Sequence, residues 1–168
     1  NKRIILFLIE EKIIIIDNSI ANIIKKSASD TKYFFSEMKN FLNQKLIQNI
    51  TKEMPENSEE KRKNGENDSH VCKLIRNDLI DDFSRFVDET KLDLNSTIEK
   101  SFFETNSFLI ENIPTLTEYA AFYGSMNIIN YMYSNRAYIG PNTWFYAIHS
   151  QNIQLIQFLI EKKIFPND

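Results

Sequence analysis

The amino-acid sequence predicts an all-α protein, a small helical N-terminal subdomain followed by an α-solenoid of stacked helix pairs. Three observations carry this expectation. Among 168 residues there are only 3 Gly and 4 Pro, too few to turn the many short strands of an all-β domain. Hydrophobic residues make up 42% and charged residues 26%, the balance of a chain that folds rather than one that stays disordered. The C-terminal part of the chain also matches itself at a shift of 27 residues, and a period in this range marks repeat architectures.

Residues 1–50 read as the helical subdomain. Ile4, Ile5, Phe7 and Leu8 suit a helix buried around most of its circumference. The β-branched run Ile13 to Ile16 is either a short extended segment or the end of that helix. Asp17 is placed to N-cap a helix carrying Ile20, Ile23 and Ile24, and Lys25-Lys26 then suit its dipole. Phe34, Phe35, Met38, Phe41 and Leu42 recur at helical spacing, and Asn43 is placed to cap a last helix with Leu46, Ile47 and Ile50. Lys2-Arg3 before an apolar run resembles the start of a signal peptide, but the run stops at Glu10-Glu11 and is too short to span a bilayer.

Residues 51–69 differ in kind. Met54 is their one clear apolar side chain, and Glu, Lys, Asn and Asp fill the rest, so a flexible charged linker is expected. Lys61-Arg62-Lys63 is flanked by Glu59-Glu60 and Glu66, and the run reads as solvated charge rather than a localisation or phosphate-binding patch.

Residues 70–168 carry the repeat, with clear units at about 115–140 and 142–166. At the 27-residue shift, Glu118-Tyr119-Ala120-Ala121 falls on Phe145-Tyr146-Ala147-Ile148, and Asn127 to Met132 falls on Gln154 to Leu159. Each unit reads as a short helix with a small inner residue, a turn at Gly124 or Gln151, and a second helix with an apolar stripe. A weaker copy begins near Cys72, with Ile80, Phe83 and Val87 as its second-helix face, and Lys91 to Pro114 is a packed insertion. One such pair cannot bury its own apolar face, so neighbours must stack on it.

The stretch Ala120-Ala121-Phe122-Tyr123-Gly124-Ser125, followed by Ile128-Ile129, Tyr131-Met132 and Ala137, resembles the ankyrin repeat core. Thr115-Leu116-Thr117-Glu118 stands where ankyrin repeats open with threonine-proline-leucine-histidine, and the unit is shorter than the usual length of about 33 residues. The repeats are therefore degenerate, with shortened or absent β-turn fingers. Ser101 to Leu109, Glu118 to Gly124 and Trp144 to Ser150, with Tyr33-Phe34-Phe35 and Phe41 upstream, are similar to protist, trichomonad-like ankyrin-repeat proteins with a helical N-terminal segment. The resemblance implies ankyrin-type protein binding, no catalysis, and further repeats in the full-length chain.

The charge balance agrees with that class. A net charge of −3 argues against neutralising nucleic-acid phosphates. The single cysteine, Cys72, allows no internal disulfide and suits a reducing, intracellular and cytoplasmic setting. Cys72, His70 and His149 are too few for a structural zinc site. A Cys72–His149 nucleophile–base dyad is the sharpest enzymatic reading. Cys72, however, aligns with Ala120 and Ala147 as a small core residue, and burial makes a thiol inert. Asp78, Asp81 and Asp82 read as a solvated helix face, and Gly65, Gly124 and Gly140 are too far apart for a phosphate-cradling loop. The expectation is a non-enzymatic protein–protein interaction module with a protein partner. It needs no catalytic residue, cofactor, metal, nucleic acid or membrane span. Tyr123 and Tyr133, offset from the alanine and isoleucine faces, are the candidate partner contacts. The alternative is a structural N-terminal cap of a longer ankyrin array.

Overall fold

The computed structural model describes residues 1–166 and is all-α, with thirteen α-helices. Among the described residues the only β-type pairing is one isolated antiparallel bridge, Thr97 to Thr115. The helices, in chain order, are α1 (Lys2–Glu10), α2 (Asn18–Ile24), α3 (Ala28–Tyr33), α4 (Phe35–Met38), α5 (Gln44–Glu53), α6 (Ser58–Asn64), α7 (His70–Arg76), α8 (Ile80–Thr90), α9 (Ser107–Asn112), α10 (Leu116–Tyr123), α11 (Met126–Ser134), α12 (Thr143–Ser150) and α13 (Ile153–Glu161). None of them is long and apolar enough to cross a membrane. The chain forms two compact units. The first takes Asn1–Asp68 with Lys100–Glu111, and the second takes Ser69–Glu99 with the chain from Asn112 onward.

In the first unit the expected caps are in place. Asp17 Oδ1 accepts from Ile20 N at 2.8 Å, and Asn43 Oδ1 accepts from Leu46 N at 2.9 Å, so each helix start gains a partner for an orphan N–H. Leu6, Ala21, Ile24, Tyr33, Phe34 and Met38 form the core. The run Ile13 to Ile16 is not helical: Lys12 turns into the left-handed region at φ 58°, and exposure then alternates along the segment. One expectation fails here, because Ile4, Ile5 and Phe7 of α1 are exposed rather than buried.

The flexible linker expected at 51–69 is also corrected. Its first residues continue α5, and 58–64 form α6. Arg62 is buried, donating to Glu37 at 2.7 Å, to Glu59 at 2.8 Å and to the Tyr33 carbonyl at 3.3 Å. Lys61 pairs with Asp68 at 2.8 Å, so of this basic run only Lys63 stands exposed. Residues 100–111 belong to this unit and not to the second one. Glu104, itself buried, accepts from the backbone N–H groups of Asn67, Thr105 and Asn106 at 2.8–3.0 Å. Gly65, at φ 67°, is what permits the approach, since a Cβ there would lie 2.7 Å from Thr105 Oγ1. Charge pairing and backbone bonds to distant segments order a stretch that has little apolar surface of its own.

The second unit stacks three helix pairs in chain order: α7–α8, α10–α11 and α12–α13. The helix α10 packs against both α7 and α12, and α11 packs against α8. Ala120 and Ala147 stand at the same place on α10 and α12, before the left-handed turns at Gly124 and Gln151, and are fully buried, because small side chains let those helices approach. On α7 that place falls to Leu74 and not, as the sequence alignment expected, to Cys72, since Leu79 N bonds to Leu74 O as Ser125 N does to Ala120 O. The turn within each pair uses a left-handed residue, Asp78, Gly124 or Gln151, and each second helix ends on another, Lys91, Arg136 or Lys163. Thr115 and Glu118 start α10 with a reciprocal capping box at 3.2 and 2.8 Å.

Candidate functional site

The last pair, α12–α13, is where the second unit leaves apolar surface uncovered. Asn152 starts α13 by accepting from Leu155 N at 3.2 Å, and its amide donates to the Gly124 carbonyl at 3.1 Å, fixing the pair against the one before. Tyr146, Ala147, Leu155, Phe158 and Leu159 point into the stack and are buried. The residues between them, Phe145 and Ile148 on α12 and Ile153 and Ile160 on α13, are exposed, as is Phe165 beyond α13. Trp144 Nε1 donates to the Ile164 carbonyl at 2.8 Å, tying the segment after α13 to α12.

The 27-residue shift lets the last two pairs be compared position by position. Ile148 occupies the position of Ala121, which is 0% exposed in the middle pair, whereas Ile148 is 61% exposed. The middle pair has α12 packed on it. Exposed apolar side chains gathered at one end of a stack mark a contact surface more specifically than scattered ones do.

Tyr133, one of the two expected partner contacts, is 41% exposed. Its ring meets Phe158 edge-on at 5.4 Å, and Lys162 Nζ lies 4.8 Å from its centroid. Tyr123 is only half-buried and packs on Tyr119 at 4.9 Å and Phe122 at 5.0 Å, with the Arg76 guanidinium 5.9 Å from its ring centroid. The two tyrosines sit on different helices and lean on different neighbours. Tyr138, which the sequence did not single out, is the more exposed ring at 70%. Its backbone is held on both sides, its N–H donating to Asn95 at 2.7 Å and its carbonyl accepting from Thr117 at 3.2 Å. A loop residue with no periodic signal gave no basis for choosing it.

The thiol and imidazole weighed as a dyad lie on different helices, and both histidines are exposed. Cys72 is buried on α7. His149 is on α12 and stacks on Phe122 at 4.1 Å, and His70 meets Phe86 edge-on at 5.1 Å. Asp82 pairs with Arg85 at 3.3 Å. Asp78 is not part of a solvated face: its carboxylate accepts from Asn127 N at 3.1 Å and Ile128 N at 3.0 Å, capping α11 from the preceding pair. Burial raises the Tyr119 hydroxyl well above the usual tyrosine range even though Arg76 donates to it at 2.8 Å. Burial, with the Glu118 charge adding to it, pushes Tyr146 up to about 12. Among the described residues no three His, Cys, Asp or Glu side chains are grouped so as to hold a metal ion. The first unit has a shallow groove of about 300 Å³ walled by Ile9, Ile14, Ile16 and Phe41, with Lys12 and Glu37 at its edge. Comparison with family models, with curated proteins and with solved structures gives no match to this chain.

Proposed function

We propose that the chain acts by protein–protein contact, through degenerate ankyrin-like helix pairs whose open end binds a partner and needs no cofactor. The observation that supports this reading is the exposed apolar set Phe145, Ile148, Ile153 and Ile160 on the last pair. Aromatic and aliphatic anchors of this kind supply most of the affinity of a protein interface. Tyr133 and Tyr138 stand by as further anchors in the same unit, with Tyr123 as a weaker one because its neighbours already cover much of it. The test is a paired substitution, Phe145→Asp with Ile148→Asp, in the whole chain. Both positions are exposed, so the thermal melt should hold while capture of the wild-type partner falls at least about tenfold. Undiminished capture by a well-folded double variant would reject this face as the binding surface.

A second reading is favoured by one specific observation, the contrast between Ala121 and Ile148. If a following helix pair covers Ile148 as α12 covers Ala121, the chain is the N-terminal cap of a longer array and that array does the binding. Adding one helix pair after α13 then raises the melting temperature and protects a thiol introduced by Ile148→Cys. No protection argues for a separate partner instead.

A further inference from the structure

The exposed apolar side of α1 has an explanation in the repeat itself. Phe7-Leu8-Ile9-Glu10 with Lys12-Ile13 matches Phe158-Leu159-Ile160-Glu161 with Lys163-Ile164, and Asn1 matches Asn152. The backbone matches as well. Asn1 N-caps α1 as Asn152 caps α13. Lys12 and Lys163 turn left-handed at φ 58° and 57°. The exits share their hydrogen bonds, with Ile13 N bonding to Leu8 O and Ile164 N to Leu159 O, both at 2.9 Å. The helix α11 leaves in the same way, through Arg136 at φ 61° and Ala137 N to Met132 O at 2.9 Å. By sequence and by geometry α1 is a second helix of the repeat type.

What differs is cover. Ile4 falls on Ile128 and Leu155, both 0% exposed, yet is itself 60% exposed. Phe7 falls on Phe158, which is 8% exposed, and is itself 56% exposed. In the second unit α11 and α13 each pack on the first helix of the same pair, and the rings at the Phe7 position, Tyr131 and Phe158, also meet Phe83 and Tyr133 on the second helix of the preceding pair. The opposite side of α1 is occupied already, since Leu6 lies in the core of the first unit, where the repeat helices carry Asn130 and Gln157. An apolar residue on each side is what a helix needs when it packs on both.

We propose that α1 is the second helix of a further repeat pair, and that Ile4, Phe7 and Ile13 seat a first helix supplied by chain preceding Asn1. This rests on the reading of the second unit as repeated helix pairs. The occupant resembles α10 or α12: a short helix with a small residue at the Ala120 position and a left-handed residue directly before the cap. Two free-standing faces then become one continuous pair.

The register defines the experiment. Asn1 stands in the place of Ser125 and of Asn152, so Thr115–Gly124, or Asn142–Gln151, is fused directly before Asn1. The readout is the rate of thiol labelling in Phe7→Cys and in Ile4→Cys, substitutions at exposed sites that should not disturb folding; Cys72 is buried and serves as the slow reference. Labelling should be fast in the chain as it stands and at least about tenfold slower with either extension, while a scrambled extension leaves it fast. Rapid labelling with both extensions overturns the proposal, as does equal protection by the scrambled one. Slow labelling in the unextended chain that quickens on dilution would assign the face to a second copy instead. In the Thr115–Gly124 fusion Trp144 remains the sole tryptophan, and its melt follows the second unit separately. A failed stack and a failed α1 pairing are thus told apart.

Discussion

Arg62 shows how a single residue can defeat a compositional reading. It lies in the most polar stretch of the chain, yet it is buried with Glu37 and Glu59 on its guanidinium nitrogens, and its Nε has no hydrogen-bond partner. Such a cluster contributes little compared with an apolar replacement, but removing one member strands the others. Arg62→Ala should therefore lower unfolding free energy by about 3 kcal/mol, read from the urea midpoint, because Glu37 keeps its charge without its partner. Lys63→Ala, at an exposed position next door, should change it by less than about 0.5 kcal/mol. Equal midpoints for the two variants would return 51–69 to the status of a linker. The sequence held the charges in view, but a pair separated by 25 residues leaves no local pattern.

At the scale of elements, the helix starts were the most legible feature. Asp17 and Asn43 act where a polar side chain precedes an apolar period, because capping is decided within four residues. The start of α11 was not legible. Its N-terminal groups are capped by Asp78 of the preceding pair, and in sequence Asp78 looks like a neighbour of Asp81 and Asp82 on a wet helix face. Asp78 also sits at φ 50°, where asparagine and glycine are tolerated better than alanine. Asp78→Ala should cost about 2 kcal/mol in chemical denaturation, from the lost cap and the strained backbone together, and Asp78→Asn should recover most of it. A neutral Asp78→Ala would mean that the bonds between pairs carry no stability.

At the scale of the whole molecule, the buried tyrosines tie stability to alkaline pH. Tyr146 is raised to about 12 in the fold against about 10 when unfolded, and Tyr119 is raised as well. Below about pH 9 both states keep these protons, so they add no pH dependence. Between about pH 10 and 12 the unfolded chain ionises first, and stability falls as pH rises. Melting temperatures should hold to about pH 9 and then decline, less steeply in Tyr146→Phe; an unchanged slope in that variant would place the alkaline loss elsewhere. The sequence by itself determined that the chain is helical and where α2 and α5 begin. Those properties rest on spacing and capping, which are written within one helix turn or one period. Only the tertiary structure decided that Arg62 is buried, that residues 100–111 join the first unit, and that α1 and the last pair each leave an apolar side open. Burial depends on which segments meet, and side chains such as Ile4 and Ile128 are chemically alike until a second helix covers one of them.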